Sequence, residues 1–253
     1  MPGVIKETLD ELGGLGILAW DTVRHGLRPP LELGLILDQF YQIGVRSLSI
    51  TSIVALFTGL VIAVQTAYSL AGYGGQVFIG DLVALSLVRE LGPVLTSLMV
   101  AGRVGAGITA EIGSMTVTEQ VDAIRALAAN PIRKLVVPRM MAAIVMLPLL
   151  VVLADFIGIF GGLVIAVTEL GQTPAFFVRH VIRALTKADI ASGLIKSAVF
   201  AVIIVLIACH RGLTVRGGAA GVGAATTRTV VSASISILVS DFFITKFLLW
   251  VMP

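Results

Sequence analysis

Five apolar runs, each long enough to cross a hydrocarbon layer, leave this chain one class of fold. They lie at about residues 47–70, 81–110, 140–167, 190–209 and 229–251. A helix needs roughly 20 apolar residues to span a bilayer, and in lipid every backbone N–H and C=O must be satisfied within the protein. The expectation is an all-α integral membrane protein with five transmembrane helices. Composition agrees: 57% of the 253 residues are hydrophobic and 13% are charged, against about 25% charged in soluble domains. A soluble core of this size cannot hide so much apolar surface. Cys209 stands alone, so no disulfide framework is expected. The opening residues MPGVIKETLDELGG carry acids where a secretory leader carries bases, and no cleaved leader or transit peptide is expected.

Lys and Arg set the orientation. Lys6, Arg24, Arg28 and Arg46 precede the first run; Arg103, Arg125, Arg133, Lys134 and Arg139 follow the second; Arg211, Arg216 and Arg228 follow the fourth. These twelve fall on one side, against Arg179, Arg183 and Lys187 on the other. The positive-inside rule puts the twelve in the cytoplasm, with the N-terminus inside and the C-terminus outside.

Two shorter amphipathic segments accompany the spans. Residues 1–46 read as an N-terminal cytoplasmic or interfacial segment and 47–253 as the transmembrane domain. Within the first, Leu33, Ile36, Leu37, Phe40 and Gly44 recur at helical spacing after Pro29-Pro30, which predicts a helix lying in the cytoplasmic interface. A helix packed on another subunit would show the same pattern. Between the second and third runs, Thr116 and Glu119 have the form of a capping box. Val117, Val121, Ile124 and Leu127 make an apolar stripe, and Asn130-Pro131 stops it. This predicts a cytoplasmic helix over about 116–129 that shows Glu119, Asp122 and Arg125 to solvent. It suits a surface pushed by a soluble motor subunit, and equally a helix that only lies on the membrane.

The second run contains Arg89 and Glu90, followed by Pro93. Each charge near the bilayer centre costs about 2.5 to 3.5 kcal/mol, so such residues face a cavity or a partner. Pro93 cannot donate to the Arg89 carbonyl, so a bend is expected where the charges sit. The second and fourth spans both enter from the outer side. At 1.5 Å per residue, Arg89 and Lys196 lie roughly 12 and 9 Å below the outer helix ends, close enough in depth to share one site. Two cations with Glu90 suit an anionic head group, and an internal network that only pins helices is the competing reading. Asp155 and Asp241, also within spans, read equally as helix-packing groups.

Enzyme signatures are missing. There is no Gly-Lys dipeptide and so no P-loop, no HExxH and no CxxC, and His25, His180 and His210 are isolated, so neither a metal nor a cofactor is expected on this chain. The Gly-rich stretch from Arg216 to Gly223 lacks the strand-then-helix context of a nucleotide loop and reads as a flexible cytoplasmic loop. Small residues recur every fourth position at Gly102, Ala106, Ala110 and Ser114, and at Ala154, Gly158, Gly162 and Ala166. Such ladders predict close helix packing in lipid, within one chain or between two.

The runs LVALSLVRELGPV (82–94), AGRVGAGITAEIGSMTVTEQVDAIRALAANPIRKLVVPR (101–139), IKSAVFA (195–201) and ATTRTVV (225–231) resemble the MlaE (YrbE) family of ABC-transporter permeases over about residues 45–245. The resemblance implies a homodimeric permease in a bacterial inner membrane, served by two cytoplasmic ATPase subunits that bind the ATP. It further implies a small STAS-domain protein and a periplasmic MCE-domain ring, with no nucleic acid among its partners. Phospholipid would move between the inner membrane and the periplasmic carrier, maintaining outer-membrane lipid asymmetry. Carried over by position, the lipid cavity maps to Ile62, Leu70, Tyr73, Arg89, Glu90 and Lys196. The ATPase-coupling helix maps to about 116–129, with Glu119, Asp122 and Arg125. A proton-coupled secondary transporter and a non-transporting membrane scaffold remain alternatives; the first would be expected to show paired interrupted helices.

Overall fold

A computed structural model of the chain describes residues 2–26, 32–71 and 75–251. It is helical throughout, and no strand occurs among the described residues. The helices are α1 (Pro2–Gly26), α2 (Leu33–Ile43), α3 (Leu48–Ala71), α4 (Ile79–Ser86), α5 (Gly92–Val100), α6 (Ala106–Val117), α7 (Gln120–Ala126), α8 (Val137–Thr168), α9 (Pro174–Ala184), α10 (Lys187–Leu213) and α11 (Gly218–Val251). Five stretches are long and apolar enough to cross a membrane: Leu33–Ala71, Gly75–Val117, Ile132–Thr168, Lys187–Leu213 and Gly218–Val251. The chain is a multi-pass membrane protein.

The second span is one long helix interrupted by two π-helical segments, Leu87–Leu91 and Ala101–Gly105. The first has a cause in the sequence. Pro93 has no N–H to give, and the wider turn absorbs the mismatch, with Gly92 N–H reaching back to Leu87 O. The bend expected at Arg89 is therefore a π segment centred on it. Arg103, expected in a loop, lies inside the second π segment and donates to Ser47 Oγ at 2.7 Å, tying this helix to the junction of α2 and α3.

Small residues set the closest packing. A Cβ on Gly59 of α3 would stand 1.9 Å from the Gly158 carbonyl of α8. Ala55, Gly59, Ala63 and Ala67 are all buried on one face of α3, and Ala154, Gly158, Gly162 and Ala166 are buried on α8. This ladder is used within the chain, against α3 and α4. The ladder beginning at Gly102 is different: Gly102 has nothing within 4 Å of where a Cβ would be, and Ser114 is exposed. Buried hydroxyls add a polar seam, with Thr109 Oγ1 donating to Thr229 Oγ1 at 2.9 Å and lying 3.1 Å from Ala208 O, joining α6, α10 and α11.

Four local expectations change. Thr116 forms no capping box: its hydroxyl donates to Ile112 O at 2.9 Å, and the helix of the second span runs on to Val117. The cytoplasmic helix expected over 116–129 is the seven-residue α7, bracketed by Glu119 and Ala128 in the left-handed region at φ 61° and 57°. Of its apolar stripe only Val121 is buried. The Gly-rich stretch is not a loop either, because α11 begins at Gly218 and carries it in its first turns. In α2, Ile36 and Ile43 are buried while Leu33 and Leu37 are exposed, so the expected stripe is split between two faces. α2 packs along α8 of the same chain.

Candidate functional site

Arg89 and Lys196 do share one site, built by three helices. On α10, Asp189, Gly193 and Lys196 fall at positions i, i+4 and i+7 and form one face. Gly193 lets that face reach the π segment, since a Cβ there would stand 2.6 Å from Val88 O. Asp189 is fixed first by its own helix start: Thr186 and Asp189 form the capping box of α10. The other Asp189 oxygen then accepts from Arg89 Nε at 2.5 Å.

Lys196 lies about two helical turns past Asp189, with its side chain 1% exposed. Its ammonium donates to Glu90 Oε2 at 2.5 Å and to the Arg89 carbonyl at 3.0 Å. That carbonyl is the acceptor Pro93 leaves without its i+4 donor, so the proline and the lysine complete one another. Asp241 Oδ1 of α11 lies 3.0 Å from the same nitrogen, at ion-pair distance but off the hydrogen-bond direction. The ammonium thus has two hydrogen bonds and one further ion-pair contact, all to groups of this chain. Thr245, one turn past Asp241, donates to Glu90 Oε1 at 3.3 Å.

The site is thus divided. Lys196 and Asp189 are buried, while the side chains of Arg89 and Glu90 are 46% and 41% exposed and border an open cleft of about 60 Å³ with Ser192, Thr245, Leu248 and Leu249. Arg89 spends only its Nε on Asp189, and its two terminal nitrogens make no hydrogen bond to the described residues. The expectation of two cations awaiting an anion changes, because Asp189 and Asp241 bring the carboxylates to three. Lys196 supports Glu90 from behind and does not line the cleft.

Ile62 and Leu70 are not brought to this cluster. Ile62 packs in the apolar cluster of α3, α4, α8 and α9, and Leu70 lies against Gly75; Tyr73 lies outside the described residues. Within one chain α3 packs on α8, α4 and α5. Sequence reasoning missed Asp189. Its signal was Thr186-x-x-Asp189 opening an apolar run, together with the seven-residue spacing to Lys196.

Glu119, Asp122 and Arg125 are grouped at α7, where Arg125 Nη1 donates to Asp122 Oδ1 at 2.8 Å on the surface. Leu127 beside them is 82% exposed. The non-glycine residues in left-handed conformation at both ends of α7 are of a kind that clusters at functional sites.

The same stretches that build this cluster and α7 decide the family. The profile of the permease MlaE family matches residues 36–247. This chain belongs to the MlaE permease family. A probable ABC transporter permease of Rickettsia conorii is 43% identical over 235 residues, covering 93% of this chain and 91% of that protein. The intermembrane phospholipid transport system permease protein MlaE of Haemophilus influenzae is 39% identical over 212 residues, covering 83% of this chain and 81% of the relative. The chloroplastic protein TRIGALACTOSYLDIACYLGLYCEROL 1 of Arabidopsis thaliana is 36% identical over 231 residues, covering 91% of this chain and 66% of its own length. Among the described residues of the permease, no cluster of His, Cys, Asp and Glu is arranged to hold a metal.

Proposed function

We propose that this permease is the membrane subunit of an ABC transporter that moves phospholipid in a bacterial inner membrane, with ATP hydrolysed by a separate subunit. The observation that carries the reading is the half-open charged pair. Arg89 and Glu90 sit within a span, and each leaves nearly half of its side chain uncovered by the chain itself. Charges left against lipid tails cost about 2.5 to 3.5 kcal/mol each, so water, a head group or a second protomer covers them. The free end of the Arg89 guanidinium suits a phosphate oxygen pair, and the neighbouring Glu90 suits the ammonium of a zwitterionic head group. The name of the Haemophilus relative supports phospholipid as the substrate class.

A homodimer supplies the missing wall. α11 buries only Thr229, Ala233, Ile237 and Leu248 in its 34 residues, so most of its surface awaits lipid or a partner. Pairing around α11 would bring Ile62 and Leu70 of α3 toward the cleft from a second copy. The N-terminus is assigned to the cytoplasm, and there α7 meets the ATPase: Asp122 and Arg125 offer charges, and Leu127 offers an exposed apolar anchor. A STAS-domain subunit and a periplasmic MCE-domain ring complete the assembly, and the transported lipid serves outer-membrane asymmetry. The test is purification from native membranes followed by reconstitution. A P-loop ATPase should co-purify, and ATP should drive transfer of a labelled phospholipid out of the proteoliposome bilayer. Transfer driven by a proton gradient without ATP would overturn the proposal.

A further inference from the structure

At the opposite ends of α10 and α11 from the charged cluster lies a cavity of about 580 Å³ that the proposed transport site does not use. Its lining includes Glu11, His210, Arg211, Arg216, Ala224 and Arg228. Arg211 is held by Glu11 Oε2 at 3.3 Å and by Ser232 Oγ at 3.0 Å. Arg216 and Arg228 have no ion pair among the described residues, and both are exposed at the rim. The Gly-rich stretch explains why the space exists. A Cβ at Gly221 would stand 2.0 Å from the Arg216 carbonyl, so this glycine lets the turn before α11 fold back and carry Arg216 to the rim. Ala224 and Ala225 then leave the wall of α11 low where larger side chains would fill the void.

The depth of the cavity indicates its ligand. Exposed apolar side chains follow along the helices that line it, Leu12, Ile17 and Trp20 on α1 and Val231 and Ile235 on α11. The rim therefore sits where hydrocarbon gives way to head groups, the level at which Trp is enriched. Guanidinium groups with unused donors match phosphate oxygens in pairs, and a concave basic pocket edged by apolar surface fits a head group better than it fits a soluble protein face. We propose that this cavity binds the phosphate of an anionic phospholipid in the leaflet opposite the Arg89 cluster. The proposal needs only the basic cavity at the membrane edge and stands apart from the transport reading.

The test uses the full chain with the subunits that co-purify. The complex is placed in phosphatidylcholine nanodiscs carrying a small share of phosphatidylglycerol with a photoreactive head group, and adducts are mapped by mass spectrometry. Adducts should fall on residues 210–228. Arg216→Gln and Arg228→Gln should each lower them about fivefold, the contribution of one surface cation to binding an anionic lipid. Ala224→Leu fills the cavity without touching a charge and should lower them as well; it carries the test if an arginine variant fails to fold. A photoreactive phosphatidylcholine should be indifferent to the arginine changes. Unchanged labelling in the folded variants overturns the proposal. Labelling erased by inorganic phosphate also overturns it, by making this a site for soluble phosphate. Loss of a co-purified protein from the Arg228→Gln complex with lipid labelling intact overturns it too, by making the cavity a docking surface for an acidic partner.

Discussion

Replacing Lys196 by Met keeps most of the side-chain volume and removes a buried ammonium that meets three oxygens. Glu90 retains Thr245 at 3.3 Å and a side chain 41% exposed, so it loses little. The Arg89 carbonyl, which Pro93 leaves without a helical donor, loses its hydrogen bond. The Asp241 carboxylate, 19% exposed, loses its counter-ion. Leaving a buried carbonyl unpaired costs about 1 to 3 kcal/mol, and breaking a buried ion pair costs about 3 to 5. Because Asp241 keeps part of its exposure, the lower end applies, and Lys196→Met should destabilise the permease by about 3 kcal/mol. The assay is reversible unfolding in mixed detergent micelles, followed by tryptophan fluorescence. The double variant Lys196→Met with Asp241→Leu should recover most of the loss, since replacing both partners by apolar groups is close to neutral. A single variant within about 0.5 kcal/mol of the parent would refute the reasoning, because that is the range of an ordinary surface change. So would a double variant no more stable than the single.

Other changes separate the elements of the account. Gly59→Ala places a Cβ 1.9 Å from the Gly158 carbonyl and should cost about 1 to 3 kcal/mol in the same unfolding assay, whereas Gly107→Ala, with nothing within 4 Å, should not destabilise. An impermeant thiol reagent applied to intact spheroplasts should label Ala175→Cys on α9 and leave Arg125→Cys on α7 unlabelled; the reverse pattern would invert the assigned topology. Asp122→Lys should leave the folded amount unchanged, because the exposed Asp122–Arg125 pair contributes at most about 1 kcal/mol. The same variant should lower ATP hydrolysis by the reconstituted complex, and unchanged hydrolysis would leave α7 as surface only.

Much of the fold was legible because lipid permits few solutions. Apolar length and Lys/Arg placement give five spans, and Pro93 gives the site of the helix irregularity before any contact is known. The pairing of Arg89 with Lys196 at one depth followed from counting residues along two helices that enter from one side. What the residues could not show is how saturated each cation is. That depends on Gly193 admitting α10 to the π segment and on Asp241 arriving from the next span, 45 residues past Lys196. The carboxylates then outnumber the cations, and Lys196 changes from a head-group ligand to an internal support. The helix expected over 116–129 was misjudged because Thr116 has two satisfying carbonyls, Ile112 O within its own helix and Gly212 O on α10, and so has no need to cap. Ile62, Leu70 and Tyr73 came from resemblance alone, and the first two lie on a helix that does not reach the cluster within one chain.

The central claim is that the open side of the Arg89–Glu90 pair receives a phospholipid head group. A photoreactive amino acid placed at Leu249, on the cleft wall, reports on it directly when crosslinked phospholipid is counted per folded complex. Arg89→Gln keeps a neutral hydrogen-bonding side chain in place and should reduce that count, taken per folded complex, by about tenfold, the effect of losing one charge-assisted contact of roughly 1.4 kcal/mol, beyond the fall in folded amount that follows from leaving Asp189 without its counter-ion. Equal crosslinking in Arg89→Gln and the parent, or a loss that only follows the loss of folded complex, would contradict the account.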